Sequence, residues 1–259
     1  MMKKSRVVVK VGTSTVAHDN GKINLRRIEK LARVISEIKN SGNEIILVSS
    51  GAVGIGRDRI GISERPKTTR EKQAAAAVGQ CELMNIYGKL FAEYGYHVAQ
   101  ILLTKDVLDK GHREENAVNT FNTLLEFGVV PIVNENDPIS AEEIEFGDND
   151  TLSAVVAVLT KADLLILLTD IDGLYDSDPR DNPDAKLIGR VEKIDESVFA
   201  MAGNKERKMG TGGMTTKIRA AQIATEKGIN MIVANGENPE ILYEIFDGKE
   251  KGTLFAAEK

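Results

Sequence analysis

Six short apolar runs, separated by segments of helical periodicity, constrain this chain more than anything else in it. The runs are residues 7–11, 44–48, 97–103, 129–133, 163–168 and 229–234. Each is short, rich in Val, Ile or Leu, and apolar at successive positions, as expected of a strand buried on both faces. Between them lie helical patterns. Residues 25–38 carry Leu25, Ile28, Leu31, Ala32, Ile35 and Ile38 on one face. Further helices are expected at 74–94, 116–127, 151–161, 215–227 and 239–246, with a last strand at 252–256. Strands that alternate with helices in this way build an α/β fold: a parallel sheet with helices on both sides. In such open sheets, ligands bind at the C-terminal edge of the strands.

That edge is where the polar residues gather. Lys10 interrupts the first strand and is followed by Gly12-Thr13-Ser14-Thr15. A lysine in a buried strand needs a partner or an exit to solvent, and the adjoining glycine and hydroxyl turn favours a functional partner. Residues 49–56, Ser-Ser-Gly-Ala-Val-Gly-Ile-Gly, read as a second glycine-rich turn. Residues 134–150 read as a mobile polar loop over the site. One of Asp148, Asn149 and Asp150 would cap the helix that follows. Capping does not require three polar residues together with the cluster at Asn134-Glu135-Asn136-Asp137.

The stretch Gly210-Thr211-Gly212-Gly213-Met214-Thr215-Thr216-Lys217 runs directly into a helical pattern. Glycines let backbone N–H groups approach a ligand, and a helix start adds unpaired N–H groups and a positive dipole end. Together they suit a phosphate. The loop is not a Walker A motif, because no glycine precedes Lys217 and Ile218 stands where Ser or Thr belongs. Lys217 is expected at an exposed loop-to-helix junction.

Composition narrows the partners. The chain has 259 residues, 42% hydrophobic and 28% charged, and a formal net charge of −5 without a long basic run. Nucleic acid is therefore not expected as a main partner. The N-terminal valine run is too short for a signal peptide or a membrane span. The single cysteine, Cys81, excludes a disulfide framework and suits a reducing compartment, so a cytoplasmic protein is expected. Cys81 reads as a small core or interface residue, and Gly79 as a point of close backbone packing.

Two lysines in glycine-rich turns and an aspartate at a helix start are the equipment of phosphoryl transfer, which requires charge neutralisation more than covalent chemistry. A carboxylate between the lysines would hold both in place and keep them protonated. The three histidines, His18, His97 and His112, lie in no nucleophile motif, and Cys/His metal spacing is absent.

Seven segments in order resemble the amino-acid kinase family: residues 9–14, 48–56, 73–80, 133–137, 146–150, 168–175 and 210–217. Those at 49–56 and 134–150 resemble the branch whose acceptor is glutamate. The resemblance implies a three-layer α/β/α sandwich around a mostly parallel sheet, as one domain over residues 1–259. About 1–165 would bind the acceptor and about 166–259 the nucleotide. It implies that Lys10 and Lys217 contact the ATP phosphates and that Asp150 organises them. Thr169, Asp170, Thr211, Gly212, Gly213, Met214, Thr215, Thr216 and Lys217 would bind the nucleotide. Ser50, Asp137 and Asn149 would bind L-glutamate. Mg²⁺ would be held mainly by ATP phosphates and water.

The implied reaction forms γ-glutamyl phosphate, the first step towards proline, with proline as a feedback inhibitor and a homo-oligomer as the assembly. Many relatives continue into a C-terminal PUA domain; this sequence reaches Lys259 without one. Rival acceptors are N-acetylglutamate, carbamate, aspartate and a nucleoside monophosphate, and a rival of another class is a non-catalytic sensor. No arginine stands in 49–56 or 134–150, which argues against a phosphate-bearing acceptor. The α-ammonium of free glutamate requires a carboxylate partner. Asp137 and Asp148 are candidates, and the resemblance favours Asp137.

Overall fold

Valine fills the first strand, and its side chains on both faces are closed to water. In β1 (Arg6–Val11) the residues Val7, Val8, Val9 and Val11 are all fully buried. The computed structural model describes residues 5–258 apart from 19, 63, 65, 105, 106, 108–110, 140–147 and 203–212. The other strands are β2 (Glu44–Ser49), β3 (Val98–Leu103), β4 (Val130–Glu135), β5 (Leu164–Thr169), β6 (Arg190–Val191), β7 (Asn230–Asn235) and β8 (Thr253–Phe255). They form one sheet in the order β3-β4-β2-β1-β5-β7-β8-β6. The first six in that order run parallel; β8 pairs antiparallel with β7, and the short β6 pairs parallel with β8.

The helices are α1 (Thr13–Val16), α2 (Leu25–Asn40), α3 (Ala52–Arg59), α4 (Thr69–Ala92), α5 (His112–Glu126), α6 (Asn149–Leu159), α7 (Glu196–Met201), α8 (Met214–Thr225) and α9 (Ile241–Phe246). Alternate strand residues separate them into two layers. Val8, Ile46, Val48, Leu165, Leu167 and Val233 pack with α5, α6, α7 and α8. Val7, Val9, Ile45, Leu47 and Ile166 pack with α2, α3, α4 and α9. The expected α/β/α sandwich is therefore present. Among the described residues no helix is long and apolar enough to cross a membrane.

The chain leaves β1 towards β2 on one side and later reaches β5 on the other. The crevice between the C-terminal ends of β1 and β5 is thus the topological switch point, where open α/β sheets bind ligands.

Several expectations required correction. Residues 49–56 are not a turn throughout. The chain turns at Gly51, with φ of 103°, and α3 begins at Ala52. Two glycines do not prevent this helix, because one of them lets it lie on α4. A Cβ on Gly56 would meet the Ala75 carbonyl oxygen at 1.8 Å, and one on Gly79 would meet the Ala52 carbonyl oxygen at 1.8 Å. The packing read from Gly79 is therefore present. α4 starts at Thr69, ahead of its alanine run, because Thr68 and Glu71 form a capping box. Cys81 is exposed on α4 and is not a core residue. Asn134 and Glu135 belong to β4 rather than to a loop.

Candidate active site

β1 delivers Lys10 to the sheet edge. Because side chains alternate across a strand, Lys10 points to the same face as Val8, beneath α6 and α8. It lies opposite Val48 on one side and Leu167 on the other and is only 8% exposed. Gly12 follows it closely; a Cβ there would stand 3.8 Å from Lys10 Nζ.

α6 delivers Asp150. Its N-cap is Asp148, whose Oδ1 accepts a 2.8 Å hydrogen bond from the Thr151 backbone N–H. Asp150 is thereby released from capping; its side chain turns into the protein and is 1% exposed. α8 packs on α6 and delivers Lys217 from its first turn. Lys217 is 3% exposed, so the exposed junction expected from sequence is in fact closed. The packing of α6 against α8 covers it.

These three residues meet. Lys10 Nζ stands 2.7 Å from Asp150 Oδ1 as an ion pair, and Lys217 Nζ donates to Oδ2 at 2.9 Å. Thr216 Oγ1 lies 2.9 Å from the same Oδ2 and 2.8 Å from the Gly213 carbonyl oxygen. Burial by itself would push the Asp150 carboxyl up. The charges of Lys10 and Lys217, with their hydrogen bonds, outweigh it and hold the carboxyl well below the ordinary range. Asp148 shifts the other way: burial pushes its carboxyl up, and the Asp150 charge adds to this against the opposing Thr151 N–H and Lys10.

Beside this triad lies a chain of neutral polar groups. Asn149 Nδ2 donates to Ser50 Oγ and to Asn134 Oδ1, both at 2.9 Å, and lies 3.3 Å from the Ser49 carbonyl oxygen. Asn134 Nδ2 donates to Gln80 Oε1 at 3.0 Å. Two of the three residues expected to bind the acceptor are therefore in direct contact. The third, Asp137, is half-buried just beyond β4, on the edge where β4 adjoins β2 and Ser50.

At the end of β5, Thr169 Oγ1 donates to Asp170 Oδ1 at 3.0 Å. An open cleft of about 800 Å³ lies there; Ser14, Thr15, Arg27, Thr169, Asp170 and Glu237 are among its lining residues. The triad does not line it. Gly213 caps α8 by backbone alone, and Met214, Thr215 and Thr216 form its first turn. Thr211 and Gly212 lie outside the described residues, as does the 140–147 part of the expected loop. Gln80 and the bridging role of Asn134 were missed by the sequence reading. Asn134 stood in a conspicuous polar cluster, whereas Gln80 closed the 73–80 segment of the resemblance with nothing to mark its contact.

Comparison with known proteins identifies the family and the fold. The sequence model described as "Amino acid kinase family" matches residues 5–235. A protein of Clostridium perfringens named glutamate 5-kinase is 57% identical over 258 residues, covering 98% of this chain and 96% of the relative. A Listeria innocua protein of the same name is 51% identical over 263 residues, covering 100% of this chain and 95% of the relative. Among solved structures, carbamate kinase from Giardia lamblia bound to AMP-PNP superposes with a TM-score of 0.69 at 16% identity, covering 98% of this chain and 99% of that one. UMP kinase from Bacillus anthracis gives 0.68 at 18% identity, covering 98% and 97%. At such identities these structures establish the shared fold.

Proposed function

The chain belongs to the amino acid kinase family, and from that premise we propose that it transfers the γ-phosphoryl group of ATP to the γ-carboxylate of L-glutamate. The products are γ-glutamyl phosphate and ADP, in the first step towards proline. The observation that carries this reading is one buried carboxylate, Asp150, between the ammonium groups of Lys10 and Lys217 at the switch point of the sheet. The relatives named glutamate 5-kinase, 51–57% identical over nearly the whole chain, support the choice of acceptor.

The chemistry requires little beyond charge and position. An oxygen of the glutamate γ-carboxylate attacks the γ-phosphorus. The bond to the β–γ bridging oxygen breaks, and its electron pair leaves with ADP. The attacking carboxylate is already ionised at neutral pH, so no general base is required. Asp150, held so far below the ordinary carboxyl range, would be a poor one. Its role is to fix two lysines whose combined charge exceeds its own by one. That surplus faces the phosphates and stabilises the transferring group and the leaving oxygen. Among the described residues no group of three or more His, Cys, Asp or Glu is arranged to hold a metal ion. Mg²⁺ would arrive on the nucleotide phosphates, where it neutralises charge.

In this reading the half up to about residue 165 binds the acceptor through Ser50, Asp137 and Asn149. The half from about 166 binds the nucleotide through Thr169, Asp170 and the loop reaching Lys217. Asp137 takes the α-ammonium of glutamate. Proline, as the pathway's end product, competes through the same acceptor residues; glutamate saturation curves unmoved by proline would refute that part.

The main test is acyl phosphate trapping with hydroxylamine. Glutamate should give hydroxamate and N-acetylglutamate should not, because acetylation removes the charge and leaves Asp137 without it. Asp137→Asn should raise the glutamate KM by well over an order of magnitude, since losing one partner of a buried charged pair costs about 2–5 kcal/mol. The ATP KM should stay near the parent value. Equal hydroxamate from both acceptors would overturn the substrate assignment.

A further inference from the structure

The polar chain from α4 to Ser50 has only one possible direction. Its anchor is the Glu135 backbone N–H, which can only donate and is bound to Asn134 Oδ1 at 2.9 Å. The oxygen of Asn134 is thereby fixed on that side, and its Nδ2 must face Gln80. Gln80, on α4 and 6% exposed, must in turn present Oε1. Asn149, meeting the same Asn134 oxygen, must present Nδ2 there, and its second amide hydrogen reaches Ser50 Oγ. Ser50 Oγ therefore accepts, and its own proton has no acceptor among the described residues. Asn149 Oδ1 likewise accepts no hydrogen bond among them. α4 also grips the neighbouring residue, since Tyr87 OH and Ser49 Oγ lie 2.9 Å apart in the interior.

We propose that Gln80 is a positioning residue that, together with the Glu135 backbone N–H, holds the hydrogen-bond polarity of the acceptor site. By holding Asn134 and Asn149 in single amide orientations, it turns the Ser50 hydroxyl into a donor and the Asn149 carbonyl into an acceptor. A donor beside an acceptor matches the carboxylate and ammonium of a free α-amino acid. Without Gln80 Oε1, the buried Asn134 Nδ2 loses its acceptor and only the Glu135 N–H restrains the amide, so the orientation of Asn134, and with it that of Asn149 and Ser50, loosens. The proposal rests on the reading of Ser50 and Asn149 as acceptor-binding residues.

The test is steady-state kinetics of the full chain with hydroxylamine trapping, alongside thermal melting. Gln80→Met keeps the length and volume but removes the acceptor oxygen. It should raise the glutamate KM roughly tenfold, the effect of about 1.4 kcal/mol, with the ATP KM unchanged. Gln80→Glu retains an acceptor oxygen in either protonation state and should restore the glutamate KM. Ser50→Ala serves as the reference. If Ser50→Ala raises the glutamate KM and Gln80→Met does not, the positioning role is overturned and the site stands. If Ser50→Ala has no effect, the reading of the site itself fails. Equal KM increases in Gln80→Met and Gln80→Glu, with equal losses in Tm, would mean that Gln80 only packs α4, and would also overturn the role. Should Gln80→Met not fold, Gln80→Asn keeps the amide one methylene short; a raised glutamate KM supports the role and a parent value overturns it.

Discussion

Lys217, in the first turn of α8, is bound to Asp150, in the first turn of α6, by a 2.9 Å ion pair closed to solvent. Two helix N-termini thus converge on one carboxylate, and Lys10 completes the group from β1. Helix starts favour anions and disfavour cations. The two lysines stay there because Asp150 compensates them, and the converging positive potential favours an incoming phosphate.

Lys217→Met should lower kcat roughly 10²–10³-fold, as for removal of one preorganised charge-stabilising group. Because the residue is buried, the variant should also melt at a lower temperature than the parent; the Asp150 carboxylate keeps the Lys10 charge and the Thr216 hydroxyl but loses one of its two ammonium partners. Single-turnover measurements separate the chemical step from binding. Near-normal turnover would remove Lys217 from the transfer machinery.

Asp148 and Asp150, two residues apart, divide the roles of helix cap and lysine partner. Asp148→Ala should cost about 1 kcal/mol of stability as a lost cap. Asp150→Asn leaves that cap intact and should abolish most turnover with little change in the glutamate KM. It should also destabilise, since two buried ammonium groups would then face each other without a compensating charge. Retained turnover in Asp150→Asn would leave the residue a purely structural role.

The two carboxyls should also respond oppositely to acid. Asp150 is held below its unfolded value, so its stabilisation is complete above the unfolded range near pH 3.9. It is lost as pH falls from there through the folded value. Asp148 is raised by burial, so the stability it offers is present below that range and is lost as pH rises through its folded value. In urea titrations, the deficit of Asp150→Asn against the parent should shrink as pH is lowered. Asp148→Asn, which still caps, should gain on the parent as pH is raised to neutrality. Parallel pH profiles for parent and variants would contradict both shifts.

Glycines in α3 and α4 separate backbone contact from ordinary helix cost. Gly79→Ala places a methyl within 1.8 Å of the Ala52 carbonyl oxygen and must push α3 away, at about 1–3 kcal/mol or more. Gly54→Ala meets nothing within 4 Å and should stabilise by about 0.5–1 kcal/mol. Melting curves of the two variants should move in opposite directions. A Gly79→Ala variant as stable as the parent would show that α3 and α4 can part without cost.

The sequence by itself determined the sheet. Strands such as 7–11, apolar on both faces but for Lys10, and 164–168, apolar throughout, can only be buried on both faces. Helical spacing between them leaves a layered α/β fold as the way to bury both. Glycine and hydroxyl clusters at the ends of β1 and β2 marked the functional edge for the same local reason, since these residue types suit tight turns and bound phosphates. Helix α3 was hidden, because Gly54 and Gly56 argue for a turn until α4 is there to pack against.

Only the tertiary structure decided how the site is wired. Lys10, Asp150 and Lys217 are far apart in sequence, and their meeting depends on α6 and α8 packing on the same face of β1. Which of Asp148, Asn149 and Asp150 caps, which binds Ser50 and which pairs with the lysines follows from the 100° step between successive helix residues once the helix start is known. Gln80 lay within a plain alanine-rich helix, and its contact with Asn134 spans 54 residues. Local pattern reports periodicity and turn chemistry; long-range hydrogen-bond direction depends on which groups the finished fold brings within 3 Å, and no single segment carries that information.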